Sequence, residues 1–114
     1  MRQVAFTKRV NLSELSEGFD ECYALVRPAT RAEYSEAMDF DIEHTTREEQ
    51  DKYEFEFIKS HFVSGKILVR NDEGNTELVD MEPDDVETSM ALANKLYFEI
   101  LGLKLDPKGS AKAA

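Results

Sequence analysis

Residues 82–103 read EPDDVETSMALANKLYFEILGL, and the fold class turns on how this stretch is read. The spacing predicts a helix over 83–101. Pro83 suits a first helical position, where a missing N–H costs nothing. Asp84, Asp85 and Glu87 place negative charge at the positive end of the helix dipole, and Gly102 stands where a left-handed C-terminal cap is expected. Val86, Met90, Ala93, Tyr97, Ile100 and Leu101 recur at helical spacing and share one face. Leu92 and Leu96 widen that face to about half the circumference, against a usual apolar stripe of roughly 100°. Phe98 falls outside it, beside Ala91. A central helix packed on several sides explains the surplus; a partner meeting the Ala91/Phe98 side is the sharper alternative.

Working back from this helix, a polar turn (Asn71-Asp72-Glu73-Gly74) separates the apolar runs KILVR (66–70) and TELVD (76–80), which predicts a hairpin. Ile67 and Val69 share one of its faces, while Leu78 and Val79 supply the returning strand. Before it, Thr46-Arg47-Glu48-Glu49 is a capping box opening a second helix over 47–62, which Val63-Ser64-Gly65 would end. That helix carries two apolar stripes, Tyr53 with Phe57 and Phe55 with Ile58 and Phe62, so contact on two sides is expected. His61 reads as a boundary residue near Gln50 and Glu54, with no second His or Cys at metal spacing.

Further towards the N-terminus, Thr30 and Glu33 cap a short helix over 31–38. The run MDFDIEHTTREEQ (38–50) then alternates acids like half a calcium-binding loop, but His44 stands where glycine is needed and Gln50 where a bidentate glutamate is needed. A solvated acidic loop is the expectation. VAFTKRV (4–10) and CYALVR (22–27) read as two strands joined across 11–21, with Pro28 ending the second. Cys22 is expected in the core. The predicted architecture is α+β: two β-hairpins in one or two small antiparallel sheets, packed by two long helices and one short helix. One domain spans 1–103, and the small polar end KGSAKAA places a disordered tail over 104–114.

Composition narrows function. The chain has 114 residues, 41% hydrophobic and 10% aromatic, which is a globular composition. Its single cysteine precludes an internal disulfide and fits a reducing cytoplasm. No apolar run resembles a signal peptide or a membrane span. With 24 acidic and 14 basic residues the net charge is −10, which speaks against binding nucleic acid directly. It suits solubility, a basic partner or imitation of nucleic acid. No phosphate loop, nucleophile elbow or metal-ligand spacing occurs, so neither a catalytic residue, a metal nor a cofactor is expected.

Two local phrases, VNLSEL (10–15) and LVRPATRAEY (25–34), followed by an acidic-aromatic helix, a hairpin and a closing helix, resemble the small tail assembly chaperones of long-tailed bacteriophages. The similarity runs over about 4–103 as a diffuse pattern without a signature motif. The resemblance implies a non-catalytic protein of the host cytoplasm. It would bind the long helical tape measure protein, keep it soluble and help the tail tube assemble around it, with the tail tube protein as a further contact. It also implies that a longer frameshifted form is often made.

Apolar faces on a very soluble body suit helix-in-groove binding, with Phe55, Phe62, Ala91 and Phe98 as the expected partner-binding residues. The surplus apolar surface leaves self-association open. The rival readings are an acidic, nucleic-acid-mimicking inhibitor of a DNA-binding protein and a structural connector of the phage particle.

Overall fold

The computed structural model describes residues 6–43 and 46–103; the predicted tail over 104–114, the first residues of the predicted 4–10 strand and the His44 end of the acidic run lie outside them. Four strands form one antiparallel sheet in the order β1 (Lys8–Asn11), β2 (Tyr23–Val26), β3 (Phe62–Arg70) and β4 (Thr76–Asp80). Three helices, α1 (Arg31–Glu43), α2 (Arg47–His61) and α3 (Met90–Leu101), complete an α+β fold. The two hairpins are therefore halves of one sheet, joined by β2 pairing with β3 after the chain has passed through α1 and α2.

One face of the sheet carries Val10, Ala24, Val26 and Ile67 into the core, where they meet Phe57 and Ile58 of α2 and Leu92, Leu96 and Ile100 of α3. Cys22 is buried here as expected, and burial pushes its thiol pKa up, which suits an inert core residue. The other face is amphipathic. Leu68 pairs with Leu78, Lys66 pairs with Asp80, and the Arg9 guanidinium lies 3.8 Å from the centre of the Tyr23 ring. Val26 faces Phe62 while Leu25 faces Ser64, so Val63 is an extra residue in β3, a bulge that bends the strand.

Several boundaries differ from the sequence reading. The 83–101 helix is two pieces: a 3-10 segment, Pro83–Thr88, and then α3. Glu82 and Asp85 close a capping box on the first piece, and the Ser89 hydroxyl accepts from the Leu92 N–H to start the second. Ser89 competes for backbone hydrogen bonds in this way, which is why serine favours a cap over a helix interior. Gly102 ends α3 in the left-handed region, at φ 80°, as expected.

The short helix is longer than predicted, because 39–43 continue it and Phe40 stacks on Tyr53 at 4.2 Å. The acids there are helical, not a loop. Residues 62–65 do not terminate α2 as a turn but belong to β3. The chain passes from helix to strand without a loop, with the His61 carbonyl taken up by the Arg27 N–H at 2.8 Å. That bond satisfies a carbonyl that a helix end leaves unpaired. Phe62 is thus a strand residue, half-buried against the core.

Candidate functional site

The two expected stripes of α2 separate only in part: Ile58 of the second joins Phe57 of the first in the core, and Phe62 lies in β3. Tyr53 and Phe57 lie on the α1 side and over the core, where Tyr53 stacks on Phe40 and the Phe57 ring meets Tyr97 edge-on at 5.4 Å. Phe55 lies on the other flank. There α2 stands apart from the Thr88–Ala93 stretch, leaving a cleft of about 520 Å³. Phe55, Met90 and Ala93 give this cleft its apolar content, and Arg47, Asp51, Glu54, Glu87 and Asn94 ring it with polar groups. Lys59 closes on Glu87 and lies 3.3 Å from Asp84, clamping α2 to the 3-10 segment.

The structure brings the four expected partner-binding residues together only in part. Phe55 lines the cleft. Ala91 is exposed and Phe98 half-buried on α3, seven residues apart and so on one side of it, with Asn94 between them reaching the cleft wall. Phe62 is not among the cleft residues, because it opens β3 instead of closing α2.

Met90 is the cleft residue that helical spacing misplaces. It was expected on the buried face, yet it is 58% exposed. A wheel drawn through 83–101 assumes one axis; the break at Ser89 makes Met90 the first residue of a new helix, ahead of the core. The break has a signal in the sequence, Thr88-Ser89, two residues that favour caps.

His61 departs furthest from its reading as a boundary residue. Only 2% of its surface is exposed. It stacks on Phe57 at 4.4 Å, and its Nδ1 lies 2.7 Å from the Phe57 carbonyl oxygen and 3.0 Å from Ser60 Oγ. Its Nε2 stands 3.0 Å from Glu33 Oε1 of α1, close enough for an ion pair but without the geometry of a hydrogen bond. Glu33 also completes the predicted capping box, accepting from the Thr30 N–H at 2.8 Å. Burial disfavours charge on Glu33, but His61 and Thr30 together hold its carboxyl below its usual pKa.

Beside this pair, between α1 and α2, lies a notch of about 250 Å³ lined by Glu33, Glu36, Glu56, Tyr53, Phe57, Ser60 and His61.

Among the described residues no three His, Cys, Asp or Glu side chains converge as metal ligands, and no helix is long and apolar enough to cross a membrane. Ser60, His61 and Glu33 stand in sequence-of-contact like a nucleophile, base and orienting acid. The Ser60 hydroxyl, however, donates to the Phe57 carbonyl at 2.8 Å, and the same carbonyl lies against Nδ1. The arrangement is that of a helix end whose polar groups satisfy one another. Comparison with protein-family models, curated proteins and solved structures found no match.

Proposed function

We propose that this protein is a non-catalytic assembly chaperone of the phage-tail type, which holds an apolar helical segment of a tape measure protein and keeps it soluble. The observation that carries the reading is the cleft between α2 and the start of α3. It exposes Met90 and presents Phe55 inside a polar rim on a body of net charge −10. A helix laid into such a groove contacts it through a few apolar anchors, while the rim keeps the free protein soluble. Methionine suits a surface that must fit side chains of varied shape. Ala91 and Phe98 extend the same flank of α3 beyond the cleft. The resemblance of 4–103 to tail assembly chaperones supports the identity of the partner, and a host-cytoplasmic location follows from that identity.

The test is co-expression with the tape measure protein encoded beside this gene, followed by pull-down at low and high salt. The expected result is salt-resistant recovery, with the partner soluble only when this chain is present. Recovery should be lost in Phe55→Asp and Met90→Asp variants that keep a native circular dichroism spectrum. No recovery of an expressed partner would overturn the proposal. Capture of a basic DNA-binding protein that weakens steeply with salt would transfer the function to nucleic-acid mimicry.

A further inference from the structure

β4 stands at one edge of the sheet, and among the described residues it pairs with β3 alone. The Met81 N–H donates to the Gly65 carbonyl and the Asn71 N–H to the Asn75 carbonyl, which fixes the phase of the ladder. Bonded and non-bonded pairs alternate along an antiparallel ladder, so Asn75, Glu77, Val79 and Met81 turn their backbone groups to β3. Thr76, Leu78 and Asp80 therefore turn theirs outward. Such a row of open donors and acceptors is a template for another strand.

The side chains of that row lie on the face away from the helices. Ile67 enters the core, so its neighbours Lys66 and Leu68 face the other way, and their partners in β4 face with them. The rungs on this face are Arg70 with Thr76, Leu68 with Leu78, and Lys66 with Asp80. Leu78 is 42% exposed, and Asp80 binds the Lys66 ammonium at 2.5 Å.

The order is self-complementary about Leu78. A second β4 running antiparallel, with Leu78 opposite Leu78, sets each Thr76 opposite Asp80 and each Glu77 opposite Val79. The middle rung becomes a row of leucines that crosses from one copy to the other. Each Asp80 carboxylate meets a Thr76 hydroxyl that can donate to it, and Arg70 stands one strand further on with a side chain long enough to reach it. Acids on an edge strand ordinarily guard it against pairing. A centre at Asp80 would oppose two aspartates and one at Glu77 two glutamates, whereas the centre at Leu78 sets no like charges opposite each other.

We propose that two copies of this chain join through β4 on a twofold axis at Leu78, making one continuous antiparallel sheet. The pairing adds about six backbone hydrogen bonds. The interface is small, so the dimer is weak and concentration-dependent. The cleft uses no residue of β4, and either surface works without the other.

The test is sedimentation equilibrium from micromolar to millimolar concentration, with amide exchange followed by NMR over the same range. A dimer is expected, and the Thr76, Leu78 and Asp80 amides should slow by about tenfold as it forms, with less change at Glu77 and Val79, which already bond to β3. Leu78→Pro removes an N–H that β3 does not use, so the hairpin stays and the dimer should weaken by about tenfold or more. Leu78→Lys sets two ammonium groups face to face and should weaken it as much. The Leu78 side chain is exposed, so this variant keeps its fold, which circular dichroism checks. A chain that stays monomeric throughout, a dimer that both variants leave unchanged, or a dimer with those amides unprotected would overturn the inference. Oligomers that keep growing with concentration would mean that β4 pairs with β1 of the next copy, and would overturn it as well. So would protection that appears only when the tape measure protein is added, since the edge would then belong to that partner.

Discussion

Glu33 Oε1 stands 3.0 Å from His61 Nε2, joining the first turn of α1 to the last turn of α2. The contact makes a pH dependence readable. The Glu33 carboxyl is held below its usual pKa, against the pull of burial, by His61 and by Thr30. A carboxylate whose folded pKa is depressed adds stability above its unfolded pKa, about 4.3, and that stability is lost as pH falls through the folded value. Glu33→Gln keeps a capping-box side chain and removes the charge. The stability of the natural protein relative to Glu33→Gln should therefore hold above about pH 5 and decline as the pH falls below the unfolded pKa, read by urea unfolding at each pH. A constant difference across that range would dismiss the Glu33 contribution. The size is modest, since Glu33 is more than a third exposed and solvent screens it.

Substitutions on the helices should separate core from rim. Ile58 is fully buried between the sheet and α3, so Ile58→Ala should cost about 2–5 kcal/mol in urea unfolding. Phe98 is half-buried and projects from the outer side of α3, so Phe98→Ala should cost only about 1 kcal/mol, near half the value of a fully buried large side chain. Comparable losses would mean that Phe98, too, is a core residue.

Gly65 of β3 packs tightly against β2. A Cβ built there falls 2.4 Å from the Tyr23 carbonyl oxygen and 3.0 Å from the Ala24 Cα, both backbone atoms that cannot swing aside. Gly65→Ala should therefore destabilise by about 3 kcal/mol, at the upper end of overpacking costs. Gly74 is the contrast: its Cβ would meet nothing within 4 Å, and the strain comes only from its positive φ of 87°. Gly74→Ala should cost about 1–2 kcal/mol. Chemical denaturation of both variants checks the ranking, and a smaller loss at Gly65 than at Gly74 would contradict the β2–β3 register.

Ser89 offers a test of sign. As the cap of α3 it accepts from the Leu92 N–H at 3.2 Å, so Ser89→Ala should destabilise by about 1 kcal/mol and speed amide exchange at Leu92. If the helix ran unbroken from Pro83, residue 89 would be interior, and alanine would be the better helix former. A stabilising Ser89→Ala would therefore restore the single helix.

The elements legible in the sequence are those set by neighbours in the chain. Thr46 caps α2 by accepting from the Glu49 N–H, Gly102 forms its left-handed cap, Asn71–Gly74 their turn, and the Leu92, Leu96, Ile100 stripe its buried face. Each is a local free-energy preference that three to ten residues decide. The charged and aromatic alternation of 47–62 leaves helix and strand in competition, and the length and capping box favour helix up to His61.

What lay beyond that reach came from contacts between distant residues. Phe62 becomes a strand residue because β2 accepts its backbone; Gly65 is needed only because Tyr23 crosses it; Phe40 extends α1 because Tyr53 is there to stack on. The same holds for the cleft and the notch. The residues of the cleft come from α2 and from a helix start displaced by the Ser89 break, and those of the notch from α1 and α2. By itself the sequence determined the caps, the turn, the apolar stripes and an α+β composition, since these depend on backbone preference and side-chain period. Only the tertiary structure decided the single sheet, the burial of His61 against Glu33 and the exposure of Met90. Those depend on which surfaces meet once the chain has closed on itself, and no window along the chain holds that information.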